Sequence, residues 1–217
     1  VGPFLRTASK GPNGARFRVL IVIDYNNNDE LLTEAGPTGT TTYTYTDNGE
    51  TASKAAPAES VTYAWDNESR LVGAVSTVEG TMSLAYAVDG IRTAKTVAGT
   101  LTKFVVDKNW DFAQVIEERS AAYSVQIAYV YGDNLVSQEN TQVPPPLALH
   151  FYHHDGQMSS RQLSDASAST TDTYTFDASG VTLYQSGPTT NSYLYGSQQL
   201  DPNLGFYNLR PQILLHL

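Results

Sequence analysis

The sequence predicts an all-β protein built from a short repeat, and three observations point to that fold class. Pairs of large residues separated by one position, often followed by aspartate, recur about every 20 residues along the 217-residue chain. Tyrosine (14 copies) and threonine are frequent, and such residues favour the half-buried surface of a sheet. No segment shows a convincing apolar period of 3.6 residues. The pattern predicts a β-hairpin array that forms a spiralling sheet, either a shell segment or a solenoid-like stack.

Each copy of the repeat reads as strand, turn, strand. In the clearest copy, Val61, Tyr63 and Trp65 alternate with smaller residues, which is the two-residue period of a strand with one buried face. Asp66 opens a four-residue turn, and a second strand follows. The second large residue of each copy is placed at Ile23, Tyr45, Trp65, Tyr86, Val106, Tyr131, His153, Phe176 and Tyr195.

Stacking is the physical reason for the period, because one hairpin cannot bury its apolar face alone. Neighbouring strands then pack their recurring aromatic side chains against one another. The positions expected to build this structure are Tyr43, Tyr45, Tyr63, Trp65, Asp66, Tyr86, Asp107, Tyr129, Tyr131, Tyr174, Phe176, Asp177, Tyr193 and Tyr195.

Composition argues against several classes of function. The net charge of −9 makes a phosphate-binding surface improbable, so no nucleic-acid partner is expected. The chain has no cysteine, which excludes disulfides and thiolate metal sites. No run of 18 apolar residues is present, so no membrane insertion is expected. No catalytic motif is recognised, and the sequence predicts neither an enzyme nor a cofactor.

Two breaks in the rhythm divide the chain. Residues 1–18 fit the repeat poorly and are predicted to be a partial or frayed repeat, followed by repeats over 19–142. The prolines within 143–146 cannot continue a strand ladder and predict a spacer. Residues 147–217 contain the C-terminal repeats.

Residues 63–71 resemble the YD repeat of the Rhs family, whose relatives include toxin-complex shell subunits and teneurins. The family pattern is aromatic-x-aromatic-Asp-x-x-Gly-Arg-Leu, and every position matches except that Ser69 replaces the glycine. Residues 152–156 resemble the Tyr-His-x-Asp-Gly segment of the last third of Rhs cores. Residues 195–210 resemble the core-closing motif, which here includes Asp201, Pro202, Gly205, Leu209 and Arg210.

The resemblance identifies the chain as the C-terminal part of an Rhs core. It implies a sheet that spirals into a hollow shell or a fragment of one. It also implies a secreted or surface-displayed bacterial scaffold, with possible toxin cargo in a longer parent chain. Thr46 and Ala87 stand where the motif has aspartate, so looser turns are expected there.

Other candidate sites are interpreted as parts of the repeat. His150, His153, His154 and Asp155 could in principle bind zinc, but adjacent strand residues point to opposite faces, so a repeat turn is favoured. The calcium-like spacing within residues 24–30 lacks the required glycine and has Ala35 where a glutamate ligand belongs.

The remaining polar motifs receive structural interpretations. Asp201 is interpreted as a turn residue and Gly205 as a backbone requirement. Asn67 begins a formal glycosylation sequon. The arginines are expected to pair with motif aspartates or to cover apolar sheet surface, and these are Arg70, Arg92, Arg161 and Arg210.

Three functions remain open. The leading one is a structural scaffold. The second is a homo-oligomer or extracellular filament that assembles through open sheet edges and the apolar residues 213–215. The third is a carbohydrate-binding or adhesion module, in which Trp110, the tryptophan outside the repeat positions, would contact sugars.

Overall fold

The computed structural model describes residues 4–10, 16–110, 112–145, 148–209 and 212–215, with side chains described for 22–110, 112–145 and 148–208. The all-β prediction is confirmed: the described residues form strands joined by turns, with one short 3-10 turn at Tyr195–Ser197. Within this part of the chain, no helix has the length and apolar character needed to cross a membrane. The chain divides into two compact units, Val1–Ser83 and Leu84–Leu217.

In the first unit each strand pairs antiparallel with the next along the chain. The strands are β1 (Phe4–Lys10), β2 (Arg16–Tyr25), β3 (Leu31–Gly36), β4 (Gly39–Tyr45), β5 (Thr51–Ala55), β6 (Ser60–Trp65), β7 (Leu71–Ser76) and the beginning of β8 (Gly80–Tyr86). Its core side chains are Leu31, Tyr43, Val61, Tyr63, Leu71, Ala74 and Met82.

The second unit continues the sequential antiparallel pairing and adds a separate three-stranded sheet. Its first strands are β9 (Arg92–Val97), β10 (Thr100–Asp107), β11 (Gln114–Ser120), β12 (Val125–Tyr131), β13 (Leu135–Asn140), β14 (Leu149–His154), β15 (Ser160–Ser164), β16 (Thr170–Phe176) and β17 (Thr182–Ser186). The small sheet contains β18 (Gln199–Asp201), β19 (Phe206–Leu209) and β20 (Gln212–Leu215).

A β-bulge marks the end of the first strand in most hairpins. The pairing of β6 with β7 shifts register between Ala64 and Trp65, so that Trp65 faces Leu71. Equivalent shifts occur before Tyr45, Val106, Tyr131 and Phe176. A bulge adds one unpaired residue and increases the local twist. The second large residue of the repeat therefore occupies a defined backbone position.

This bulge corrects the predicted register of two copies. In the first copy the shift lies between Asp24 and Tyr25, so Tyr25 and not Ile23 is the second large residue. In the copy on β14 the shift precedes His154, and His153 points to the exposed face. Sequence spacing alone could not distinguish neighbouring positions, because a one-residue slip exchanges the two faces of a strand.

The last predicted copy is wrong as a hairpin strand. Tyr193 makes an isolated β-bridge with Gln199, and Tyr195 begins the 3-10 turn. This segment runs across the preceding strands, and its side chains replace those of a further repeat strand in the core.

The turns that follow the bulges share one backbone geometry. In the Asp66 turn, Asp66 N–H donates to the Arg70 carbonyl (3.0 Å), and Ser69, with φ of 57°, donates to the Asp66 carbonyl (3.0 Å). A type I turn followed by a left-handed residue is a common hairpin connection. The glycine of the family pattern thus corresponds to a left-handed position, which Ser69 occupies here.

The expectation of looser turns at Thr46 and Ala87 is wrong. Both residues make the same pair of backbone hydrogen bonds as Asp66. The Thr46 hydroxyl replaces the carboxylate as acceptor for the backbone of Asn48 (3.3 Å) and Glu50 (3.2 Å). In the Ala87 turn, Gly90 supplies the left-handed residue with φ of 79°. Backbone geometry, more than the aspartate, defines these turns.

The left-handed position gives a stability prediction in the turn between β15 and β16. Ala168 is exposed there with φ of 62°, a conformation that costs an L-residue about 1–2 kcal/mol. Ala168→Gly should remove this cost. Glycine also raises the conformational entropy of the unfolded chain, which offsets part of the gain, so the expected net stabilisation is about 0.5–1 kcal/mol. Urea unfolding measures the change.

Ala166→Gly, in the same exposed turn but without a positive φ, is the matched control. It should destabilise the protein by about 0.4–1 kcal/mol. Equal effects of both substitutions on stability would contradict the assignment of a left-handed backbone conformation to Ala168.

Candidate functional site: repeat hairpins and the closing segment

The two large residues of each repeat have different roles. The first is buried on the core face, at Tyr43, Tyr63, Leu84, Phe104, Tyr129, Tyr152 and Tyr174. The second is mostly half-buried, as at Tyr45, Trp65, Tyr86 and Tyr131, although Phe176 is buried. The pattern thus combines an apolar anchor with an aromatic ring at the edge of the core.

The second aromatic residue bonds to the backbone of the preceding hairpin. Tyr45 Oη donates to the Leu31 carbonyl (2.9 Å), and Trp65 Nε1 donates to the Thr51 carbonyl (2.8 Å). Tyr131 donates in the same way to Val115 (3.1 Å), and Tyr195 to Ala178 (3.0 Å). Each acceptor lies 14 to 17 residues earlier. These bonds connect successive hairpins through side chains, in addition to the strand ladder.

Carboxylates of the repeat cap their own turns. Asp66 Oδ1 accepts from the backbone N–H groups of Glu68 (2.9 Å) and Arg70 (3.0 Å), while Oδ2 accepts from Arg70 Nε (2.7 Å). The backbone bond from Arg70 is the main cause that holds the pKa of Asp66 below its ordinary value. Asp155 and Asp177 accept the equivalent backbone bonds. These side chains stabilise turns and do not converge on a common site.

A closing segment, defined here as residues 187–208, packs against the aromatic core of the second unit. The Tyr193 ring meets the Tyr129 ring edge-on, with 4.9 Å between centroids. The Tyr193 and Leu194 carbonyls accept from Ser160 Oγ (2.7 Å) and N (2.8 Å). Tyr207, which is buried, donates to the Gly180 carbonyl (3.2 Å). The segment therefore covers the core face of several strands.

Asp201 is more than the predicted turn residue, because its carboxylate lies in a buried charge cluster. Its side chain is 2% exposed and accepts from Arg92 Nη1 (3.0 Å) and Lys95 Nζ (2.9 Å). Arg92 Nη2 also donates to Gln199 Oε1 (3.1 Å). Lys95 Nζ reaches Asn203 Oδ1 (3.1 Å). Arg92 is expected to pair with a motif aspartate or to cover apolar sheet surface; it pairs with Asp201 of the closing segment, and its guanidinium lies over the Phe104 ring, 4.9 Å from the ring centroid.

Glu118 extends this cluster on β11. Its Oε1 accepts from Tyr129 Oη (2.9 Å) and Gln199 Nε2 (3.2 Å). Burial raises the pKa of Glu118, against the opposing effect of the Tyr129 hydrogen bond and the nearby Lys95 and Arg92 charges. The strands and the closing segment thus share one polar network.

The histidines are held separately. His150 Nε2 contacts Thr189 Oγ1 (3.0 Å), and His153 Nε2 contacts Ser164 Oγ (2.8 Å). The His154 ring stacks on Tyr152, and burial lowers its pKa. Within the described part of the chain, no group of three or more His, Cys, Asp or Glu side chains could hold a metal ion. The preference for a repeat turn over a zinc site stays a prediction.

The other singled-out positions lie in turns. Asn26 Oδ1, in the calcium-like segment, accepts from the backbone of Asn28 (2.9 Å) and Glu30 (3.0 Å), as the repeat aspartates do. Asn67 is exposed in the Asp66 turn. Gly205, with φ of 68°, donates to the Asp201 carbonyl (2.8 Å), and Pro202 lies exposed in the same turn. Leu209 ends β19, and Arg210 lies outside the described residues.

Sequence reasoning missed several residues of this site. Lys95 and Glu118 were not singled out, because nothing in their local sequence separates them from surface residues, and Gln199 lies in the core-closing motif without a role of its own being predicted. Asp165 forms another capped turn, accepting from Ser167 (2.8 Å) and Ser169 (3.0 Å), although no aromatic pair precedes it. The Asp-x-Ser-x-Ser spacing was the available signal for that turn.

The buried charge cluster predicts a large effect of Asp201→Ala. The substitution leaves the Arg92 and Lys95 side chains, 7% and 14% exposed, without their carboxylate, and removal of one partner of a buried pair costs about 3–5 kcal/mol. Chemical denaturation measures the loss. Asp89→Ala removes the exposed Lys108–Asp89 pair and should cost only about 0–1 kcal/mol. Similar losses for the two variants would show that the cluster is not a stabilising contact.

Glu118 predicts a pH dependence of stability. A carboxyl whose pKa is raised on folding makes its full contribution to the stability of the folded state below its pKa in the unfolded chain, which is about 4.3. This contribution is lost as the pH rises through the pKa in the folded state. The stability of Glu118→Gln relative to the parent chain should therefore increase between about pH 4 and pH 7. Urea unfolding at several pH values tests this. Glu139→Gln removes an exposed charge on β13 and is the control. An unchanged or decreasing difference for Glu118→Gln contradicts the prediction.

The fold is similar to that of solved toxin-complex structures. A crystal structure of TcdB2-TccC3-Cdc42 matches 97% of this chain at a TM-score of 0.60 and 12% identity, and the match covers 12% of that chain. A Tc holotoxin pore of Photorhabdus luminescens matches 94% of this chain at a TM-score of 0.61 and 12% identity, again over 12% of that chain. At this identity the likeness concerns the fold.

Sequence comparison finds two Bacillus proteins that are similar to part of this chain. The tRNA3(Ser)-specific nuclease WapA of Bacillus spizizenii is 31% identical over 153 residues, and the tRNA nuclease WapA of Bacillus subtilis is 29% identical over 150 residues. Each match covers 67% of this chain and 6% of the relative, so the chain spans a small part of these proteins. No protein-family model matches the sequence.

The prediction that the chain is not an enzyme is contradicted by this comparison, since the curated relatives are called tRNA nucleases. That prediction considered only catalytic motifs within 217 residues, whereas the matched proteins are many times longer. The expected absence of a nucleic-acid partner stays a prediction. Over almost its whole length, the protein therefore shares an all-β fold with these solved Tc toxin structures.

Proposed function

We propose that this chain is a YD-repeat segment of an Rhs-type shell, in a secreted or cell-surface bacterial toxin. One observation carries the proposal: the closing segment lies across the aromatic core of the second unit and is fixed there by the buried contact of Asp201 with Arg92 and Lys95. The likeness of the fold to toxin-complex structures over almost the whole chain supports it.

The repeat geometry suits the wall of a shell. The strand ladder joins successive hairpins through the backbone, and the bonds from Tyr45, Trp65 and Tyr131 add side-chain links between them. Because each hairpin depends on the neighbouring hairpins to bury its apolar face, stability accumulates along the array. Such a wall resists local opening without needing disulfides, which the chain lacks.

Limited proteolysis of the longer gene product that contains this chain tests the shell function. If the segment closes a wall around other parts of that protein, Asp201→Ala should open the wall and expose the enclosed parts to protease. Asp89→Ala, which removes an exposed ion pair, should leave the digestion pattern unchanged. Cryo-electron microscopy of the same protein should show these residues in the wall of a hollow particle. A compact, filled particle would reject the shell.

A link to RNA cleavage is the second candidate, and the names of the curated relatives favour it. We infer that the longer protein containing this segment cleaves tRNA. Incubation of that protein with total tRNA, followed by gel analysis, should show discrete cleavage products. The 217-residue chain assayed in parallel shows whether this segment contributes to cleavage. Intact tRNA after incubation with the longer protein would reject the link.

Export from the cell is also part of the proposal. Immunoblots of culture supernatant and protease treatment of whole cells should detect the protein outside the cytoplasm, with a cytoplasmic enzyme as the control. The filament suggested by the sequence remains a second structural possibility, for which light scattering across a concentration series is the measurement.

A further inference from the structure

The buried charge cluster of the second unit contains an amine in contact with a carboxamide. Lys95 Nζ, on β9, donates to Asn203 Oδ1 (3.1 Å) and to Asp201 Oδ1 (2.9 Å). Asn203 Cγ is bonded directly to its Oδ1, so the amine lies beside a carbonyl carbon that it could attack. An amine, a carboxamide and a carboxylate in contact are the groups needed to form an amide bond between two side chains.

The backbone fixes both ends of this contact. Lys95 is paired with Thr102 across the ladder of β9 and β10. Asn203 lies in the turn between β18 and β19, where the Gly205 N–H donates to the Asp201 carbonyl (2.8 Å). Two reacting groups that ordered backbone already holds together need little further ordering to react.

The contact is largely removed from water. The Lys95 side chain is 14% exposed and the Asp201 side chain is 2% exposed. Leu204 and Phe206 are buried, and together with Asp201 they line a small pocket beside the cluster. Exclusion of water prevents side reactions. An amide formed at this place would therefore be protected from hydrolysis.

The cluster places two cations on one carboxylate. Arg92 Nη1 contacts Asp201 Oδ2 (3.0 Å), while Lys95 Nζ contacts Oδ1 of the same side chain. Glu118, the other acidic residue of the cluster, accepts a hydrogen bond from Tyr129 Oη (2.9 Å). Burial of charges is costly unless each is well paired. Conversion of the Lys95 amine to a neutral amide would leave Arg92 and Asp201 as a one-to-one pair.

We propose that Lys95 and Asn203 join in an intramolecular isopeptide bond. Asp201 Oδ1 takes one proton from the Lys95 ammonium, and the neutral Nζ bonds to Asn203 Cγ. Asp201 returns the proton to Asn203 Nδ2, the Cγ–Nδ2 bond breaks and ammonia leaves. Asp201 then removes a further proton from Nζ and passes it to the ammonia, which departs as ammonium. The product is a neutral amide, Asp201 is a carboxylate again, and no other reagent is consumed.

The bond ties the closing segment to β9. It joins residues 108 positions apart, and a cross-link that closes a long loop removes conformational entropy from the unfolded chain. The chain has no cysteine, so a disulfide cannot supply this constraint. The proposal does not depend on the shell function, because all of these residues lie within the second unit.

Mass spectrometry of the 217-residue chain tests the bond. The intact mass should be lower than the mass of the unmodified sequence by about 17 Da, the mass of ammonia. Because an asparagine can also lose ammonia by forming a succinimide, the cross-linked peptide is the deciding observation. Digestion with trypsin and chymotrypsin should yield one species that contains both Lys95 and Asn203, with no cleavage after Lys95.

Two conservative substitutions should abolish the bond. Lys95→Arg keeps the positive charge beside Asp201 but removes the nucleophilic amine, and Asn203→Ser removes the carboxamide. Both variants should have the full mass of their sequences. Lys103→Arg is the matched control on the neighbouring strand β10, where Lys103 Nζ donates to the Ala121 carbonyl (3.1 Å), and it should still lose ammonia. Circular dichroism checks that each variant is folded.

Stability gives a second readout of the cross-link. The parent chain should stay folded at a higher urea concentration than Lys95→Arg, because only the parent closes the loop. In denaturing electrophoresis the closed loop should make the parent chain migrate faster than Lys95→Arg. Lys103→Arg should behave as the parent chain does in both measurements.

Three outcomes overturn the proposal. The first is an intact mass equal to that of the unmodified sequence. The second is a loss of about 18 Da with the cross-link at Asp201, because the carboxyl group and not the carboxamide would then have reacted. The third is a loss of ammonia that persists in Lys95→Arg, because the modification would then lie elsewhere in the chain.

Discussion

The structure depends on the fact that an antiparallel hairpin buries only one of its faces and does so only beside a neighbour. The repeat meets this constraint with two aromatic positions of different character. The first fills the core, and the second donates a hydrogen bond to a backbone carbonyl of the preceding hairpin, as Tyr45 does to Leu31 and Tyr131 to Val115. A buried or half-buried tyrosine needs such a partner for its hydroxyl. The same side chain therefore satisfies its own polar group and connects two successive hairpins.

The closing segment is held against the strands by charged and polar contacts. Gln199 and Asp201 bring polar groups against strands whose Arg92, Lys95 and Glu118 side chains would otherwise be buried without complete partners. Burial of charges is costly unless they are paired and hydrogen-bonded. Because the contacts are specific in position, they favour one placement of the segment over other placements that would bury similar apolar area.

Much of the fold could be predicted from sequence, because strand alternation and turn chemistry are local. Tyr63, Trp65 and Asp66 illustrate this, since their spacing alone predicts a strand and the turn after it, whereas the bulge between them is found only in the structure. The register at Tyr25 and His154 could not be obtained in this way, because adjacent large residues compete for the same face. The cluster around Asp201 was also inaccessible, since Arg92 lies 109 residues away and the pairing is set by tertiary structure. Asp201 resembles an ordinary turn residue in its local sequence.

That separation has a consequence for the order of folding. Hairpin contacts form between residues close in sequence and close rapidly, whereas contacts of high sequence separation must wait for chain entropy to be overcome. During synthesis, Arg92 and Lys95 emerge well before Asp201, so the strands of the second unit spend a period with an uncovered aromatic face. Intermediates of this kind are prone to aggregate. The second unit therefore folds cooperatively as a whole only after the closing segment has been synthesised. A chaperone would matter most before that point.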